Sequence, residues 1–205
     1  MPQASLDPVV LAAMIVIRLQ TIVSREVAAT DTVVLTVGSI HAGSKSNVVG
    51  DRAVLELNLR TYDQATRTGV LDAIRRVVTG ECHASGSPRE PEFELYDTFP
   101  PTINDHAATD RVSGAFAEHF GDRFATLPTG GTASEDFSEI PDALGAPYTY
   151  WAFGGTDRRL FAQASESGRV NQDIPVNHSP FFAPVVQPTL DVGTQALVVA
   201  ALAWL

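Results

Sequence analysis

Apolar residues crowd the segment from Val9 to Val23, broken by Arg18 and Gln20. Asp7 stands ahead of it, placed to accept hydrogen bonds from free helical amides. Pro8 suits a first helical turn, where its missing N–H goes unused. The pattern predicts a helix from Pro8 to about Arg25. The period then changes. Thr32 to His41 is rich in β-branched residues, and Arg52 to Thr61 alternates, with Ala53, Leu55, Leu57 and Leu59 on one face and Glu56, Asn58 and Arg60 on the other. Both read as strands. Asp63 caps a second helix whose Val70, Ile74, Val77 and Val78 make one stripe, ending near Gly80, and Glu92 to Tyr96 reads as a third strand.

Thr98-Phe99-Pro100-Pro101 divides the chain into residues 1–98 and 99–205. The first part has the order α-β-β-α-β, one strand short of the split β-α-β-β-α-β unit. Its helix opens so early that the missing strand is expected upstream. The second part predicts a helix from His106 to Phe120 ended by Gly121, a Gly/Thr/Ser loop, an aromatic strand from Tyr148 to Phe153, a long polar loop from Gly154 to Pro175, and a final helix opened by Pro188. Neither the interrupted run from Val9 to Val23 nor the short one from Leu197 to Leu205 reads as a membrane span, and no basic leader with a cleavage site precedes them.

Composition narrows the class. The 205 residues are 44% hydrophobic, enough for a substantial core. A net charge of −10 opposes a phosphate-binding surface, and Arg67, Arg75 and Arg76 fall on a solvated helix face, so nucleic acid is not an expected partner. A single cysteine leaves no disulfide framework, which suits a reducing cytoplasm.

The candidate chemistry centres on His178 in Asn177-His178-Ser179-Pro180, some forty residues after Gly130-Gly131-Thr132-Ala133-Ser134-Glu135-Asp136-Phe137. Imidazole is a common zinc ligand, but a zinc site takes three or four ligands. His41, His83, His106, His119 and Cys82 offer no matching spacing apart from the adjacent Cys82-His83, which reads as structural. Read alone, Asn-His-Ser-Pro is also a plain turn, Asn47 a turn residue and Arg60 a solvated strand position. Glu135 and Asp136 then serve as helix-start residues after Ser134, Gly130-Gly131-Thr132 as a flexible turn and His41 as a surface side chain.

In order along the chain, Pro2 to Pro8, Gly43 through Asn47-Val48-Val49, the strand end Leu59-Arg60-Thr61, Ser134-Glu135-Asp136-Phe137 and Asn177-His178-Ser179-Pro180-Phe181 resemble the second half of the metal-dependent amidohydrolases related to aminoacylase, hippurate hydrolase and carboxypeptidase G. The resemblance implies an α/β (α+β) protein with two parts. One is a ferredoxin-like split βαββαβ lid or dimerisation domain lacking its first strand. The other is the carboxyl-terminal portion of a mixed-sheet zinc-peptidase-like catalytic domain.

It further implies that His178 is a metal ligand, that Asn47 contacts substrate, and that Arg60 receives the substrate carboxylate in a neighbouring subunit. A guanidinium suits that last task because it can give a carboxylate two hydrogen bonds. Gly130, Gly131 and Thr132 are expected beside the substrate, with His41, Glu135 and Asp136 as further pocket residues. The implied activity is hydrolysis of N-acyl amino acids or related amides by a homodimer joined through the lid. Its cofactor is two divalent ions, zinc or else manganese, cobalt or nickel.

Departures matter. Gly50 stands where the family usually has proline, which loosens the turn that aims Asn47. The upstream ligands, the paired glutamates and the lid histidine of the family have no counterpart. The chain alone is therefore expected to hold little or no metal and to be inactive. The alternative reading is a non-catalytic dimerisation module. Serine hydrolysis is disfavoured because no Gly-x-Ser-x-Gly elbow is present.

Overall fold

The computed structural model describes residues 2–131 and 133–205. The chain forms two compact units, Met1–Pro101 and Thr102–Leu205. In the first, helix α1 (Pro8–Arg25) starts as the sequence dictates, with the Asp7 carboxylate accepting the Val9 N–H at 2.8 Å. Strands β1 (Val33–Ala42) and β2 (Ala53–Thr61) form an antiparallel hairpin, and helix α2 (Gln64–Ala84) follows, capped by Asp63. The Thr66 hydroxyl and N–H both bond the Asp63 carboxylate and hold it below the usual carboxylate range.

Ile15, Leu19 and Ile22 of α1 and Val70, Ile74 and Val77 of α2 form the core, with Val33, Leu35, Val37, Leu55, Leu57 and Leu59 packed against it from the hairpin. Both helices therefore cover one sheet face and leave the other open. Register slips once: Val37 pairs with Leu57 and Ser39 with Glu56, so Gly38 is an extra residue, a β-bulge.

Two expectations fail here. Glu92–Tyr96 joins no sheet, and the sheet of this unit has two strands rather than three. Alternation reports a face, whereas a strand also needs a hydrogen-bonding neighbour, and nothing in the described part of this unit supplies one. Gly80 does not end α2. The helix continues to Ala84, burying Cys82, and stops at Gly86, whose φ of 71° allows the Ser87 N–H to reach the Cys82 carbonyl at 2.9 Å. The architecture that remains of the expected split unit is a helix pair on one side of a hairpin.

Helix α1 is long and apolar enough to cross a membrane by length and hydropathy alone. Its stripe of Ala12, Ile15, Leu19 and Ile22 is instead buried in this core. A second stripe, Val10, Met14 and Ile17, is 59%, 49% and 65% exposed.

The second unit is built on α3 (His106–Phe120) and the final helix α7 (Val186–Leu202), with Val112 and Phe116 packed on Ala196 and Ala200. Gln187 is non-helical, so the regular part of α7 begins at Pro188, as expected. Between them lie α4 (Glu139–Leu144), α5 (Arg158–Glu166) and α6 (Val170–Asp173). The polar stretch from Gly154 to Pro175 is thus partly helical. Asp157 caps α5 by accepting the Arg159 and Leu160 N–H groups, and the residues after it are mostly good helix formers.

Tyr148–Phe153 is not a strand among the described residues. Its backbone partner is largely a side chain: Asn104 accepts the Tyr150 N–H at 2.8 Å and donates to the Tyr150 carbonyl at 3.0 Å, while the Asp105 N–H reaches Tyr148 O at 2.8 Å. The amide of Asn104 imitates a neighbouring strand without continuing it.

Candidate functional site

His41 and Arg60 project from the same, helix-free face of the hairpin, since His41 pairs with Val54 and Arg60 with Val34 on the outward register. Six residues of β2 separate these pairs, about 20 Å at the usual strand rise. One chain cannot bring both to a single carboxylate. Arg60 is exposed, and its Nε donates to Asn58 Oδ1 at 3.1 Å, which holds the guanidinium along the sheet surface. Asn47 lies in the loop at the other end of the hairpin, in a tight turn closed by the Val48 N–H on the Lys45 carbonyl at 3.3 Å. Gly43 (φ 73°) and Gly50 approach one another beneath this loop.

In the second unit, His178 is exposed and sits third in a turn closed by the Ser179 N–H on the Val176 carbonyl at 3.0 Å. Its φ is 70°. That conformation belongs to glycine or asparagine and costs other residues of order 1–3 kcal/mol. We expect His178→Gly to leave the unit folded and stabilise it by up to about 1 kcal/mol, read from the thermal midpoint; a destabilised glycine variant would remove the strain argument.

Glu135 does not cap a helix. Its carboxylate bonds the Tyr150 hydroxyl, and burial first, then the charge and hydrogen bond of Glu135, raise the Tyr150 pKa. The residue at the start of α4 is Ser138, with the Asp136 carbonyl accepting the Glu139 N–H at 3.1 Å; the Asp136 side chain is exposed. Phe137 packs on Tyr148 and Tyr150 at centroid distances of 5.7 and 5.1 Å. Ser134-Glu135-Asp136-Phe137 is thereby anchored to the 148–153 segment. The sequence displayed the aromatic run but not this pairing.

Gly130 and Gly131 are exposed, a Cβ at Gly131 would meet nothing within 4 Å, and Thr132 lies outside the described residues. Cys82 is buried, which raises its thiol pKa, with Glu90 and Glu81 adding to the effect, while exposed His83 bonds Glu90 at 2.7 Å. The two neighbours thus do unrelated structural work.

Among the described residues no three His, Cys, Asp or Glu side chains come together to hold an ion. One exposed imidazole does not fit a group that takes three or four ligands. The described residues of this chain therefore do not by themselves form a metal centre.

Residues 1–85 match the peptidase dimerisation domain family known as M20. Among curated relatives, N-acetyl-L-cysteine deacetylase of Bacillus subtilis is 34% identical over 77% of this chain and 36% of its own length. Hippurate hydrolase of Campylobacter jejuni is 30% identical over 73% of this chain and 39% of its own. The chain thus spans well under half the length of these two relatives. A crystal structure from methicillin resistant Staphylococcus aureus superposes with a TM-score of 0.67 at 25% identity, covering 98% of this chain and 47% of that one. A Bacillus subtilis protein described as a dinuclear metal binding peptidase from the M20 family gives 0.65 at 23% identity, covering 97% and 46%.

Proposed function

Because this chain belongs to the M20 peptidase family, we propose that it is the lid-bearing part of a metal-dependent amidohydrolase that cleaves the acyl amide of N-acyl amino acids or related small amides. The observation that carries this reading is Arg60, exposed on the sheet face that no helix covers, within a domain of the peptidase dimerisation type. In that position it can reach outward to a carboxylate held by another subunit. The 20 Å between Arg60 and the other end of the hairpin favours the same division of labour, with Asn47 and Arg60 meeting substrate at separate points.

We further propose a homodimer formed through this lid. Helix α1 is apolar on two sides and the unit buries only one of them, so Val10, Met14 and Ile17 offer an apolar stripe of the kind subunit contacts cover. His178 is proposed as one donor to a divalent-metal centre of the whole enzyme, a centre supported by the description of the Bacillus subtilis neighbour. The chemistry such a centre supplies is polarisation of the scissile carbonyl and activation of water. The contribution of this chain lies in binding, orientation and assembly.

The chain alone, dialysed against trace zinc, is expected to retain less than stoichiometric metal and to leave N-acyl amino acids intact with zinc, cobalt or manganese added. Tight stoichiometric metal with chelator-sensitive turnover would sink the partial-enzyme reading. When the chain is assembled with the amino-terminal half of a relative, Arg60→Ala should raise KM for carboxylate-bearing substrates about tenfold to a hundredfold, as for loss of a charged hydrogen bond, with kcat little changed. A second reading, a non-catalytic dimerisation module, is favoured by the missing ligand cluster among the described residues. It predicts dimers and no turnover in any assembly.

A further inference from the structure

The loop between the hairpin strands, residues 43–52, has little burial to hold it. Val48 and Val49 are each half exposed, and Asn47 is exposed. Its closing bond, from the Val48 N–H to the Lys45 carbonyl, is long at 3.3 Å. A loop with so little apolar burial samples other shapes unless polar ties restrain it. One such tie arrives from 38 positions away: Arg89 Nη2 donates to the main-chain carbonyl of Asp51 at 2.9 Å. Because the acceptor is main chain, the bond fixes the path of the loop rather than one of its side chains.

Arg89 is itself held. The Ser87 N–H returns to the Cys82 carbonyl of α2 at 2.9 Å, the Ser87 hydroxyl donates to the Arg89 carbonyl at 2.7 Å, and the next residue, Glu90, bonds His83 of α2 at 2.7 Å. The guanidinium therefore projects from a backbone fastened to the end of a helix that the core already seats. Its charge strengthens the bond to the neutral carbonyl. We propose that Arg89 is a positioning residue for Asn47: it braces the hairpin loop against α2, so that Asn47 meets substrate in one orientation. The proposal rests on the reading of Asn47 given above and adds the residue that steadies it. An exposed hydrogen bond contributes little to global stability, so the effect is local.

The test follows backbone amide order parameters by NMR in the full chain. Arg89→Ala is expected to lower those of Asn47 and Val48 from about 0.85 toward about 0.6, while Leu57 in β2 holds its value and the thermal midpoint moves little. Arg89→Lys, which keeps a charged donor, should restore them in part; Asp51→Asn, which leaves the carbonyl in place, should change nothing. Unchanged order parameters in the alanine variant overturn the proposal. So does an equal loss at Leu57, which would make Arg89 a support of the whole hairpin. When the chain is assembled with the amino-terminal half of a relative, Arg89→Ala should raise KM about threefold to tenfold with kcat little changed, and should add nothing in the Asn47→Ala background. Full additivity of the two substitutions also overturns the proposal. If Asn47→Ala leaves KM unchanged while the loop still loosens without Arg89, the brace stands and the substrate role of Asn47 falls instead.

Discussion

Leu19→Ala is expected to destabilise the first unit by about 3 kcal/mol, a large share of the roughly 5–15 kcal/mol available to a domain of this size. Leu19 is fully buried at the meeting of α1, α2 and the hairpin, among Ile15, Ile22, Val70 and Ile74. Truncation both returns less apolar surface to burial and leaves a cavity that two helices pinned to one sheet face cannot easily close. Urea denaturation followed by circular dichroism reads the effect. Ile17→Ala, on the exposed side of the same helix, serves as control and should shift stability by less than about 0.5 kcal/mol in the monomer. Equal losses at both positions would mean that α1 is not seated as described.

Charging the opposite stripe should have the other large effect. Met14→Glu together with Ile17→Glu is expected to convert the proposed dimer to monomer, because each carboxylate would have to be buried without a partner at a cost of several kcal/mol. Three kcal/mol already corresponds to more than a hundredfold in Kd. Static light scattering should show the mass falling by half while the circular dichroism spectrum holds. If the doubly charged chain keeps the dimer mass, α1 is not the contact and another surface of the lid must be.

The helices were legible because their evidence is local. Asp7 and Asp63 each cap as their positions predict, and the stripes of α1 and α2 point to the core. The two strands were legible, β1 from its β-branched residues and β2 from the alternation of Ala53 to Arg60, whereas their pairing came from the structure. Glu92–Tyr96 and Tyr148–Phe153 have the same alternation or aromatic content, but strand formation depends on a neighbour that no window of sequence contains. The bulge at Gly38 was invisible for the same reason, since it exists only relative to β2. At the candidate site, the sequence marked His178 by its motif but not by its left-handed backbone. It placed Glu135 beside Ser134 as a helix-start residue, whereas its partner, Tyr150, is fifteen positions away and becomes a neighbour only through the fold.

Gly38 makes β1 one residue longer than its partner requires. Residues on either side of it already face as a regular ladder would have them, with Val37 and Ile40 opposite Leu57 and Leu55, and Ser39 and His41 opposite Glu56 and Val54. Deleting Gly38 would therefore join two segments that are already in phase, leaving every remaining side chain on its present side. Deleting Ile40 with the bulge kept would instead invert the hairpin end that carries His41. Length variation among homologues, if it occurs anywhere within this hairpin, should concentrate at this single position, where the sheet can lose a residue and keep its two faces.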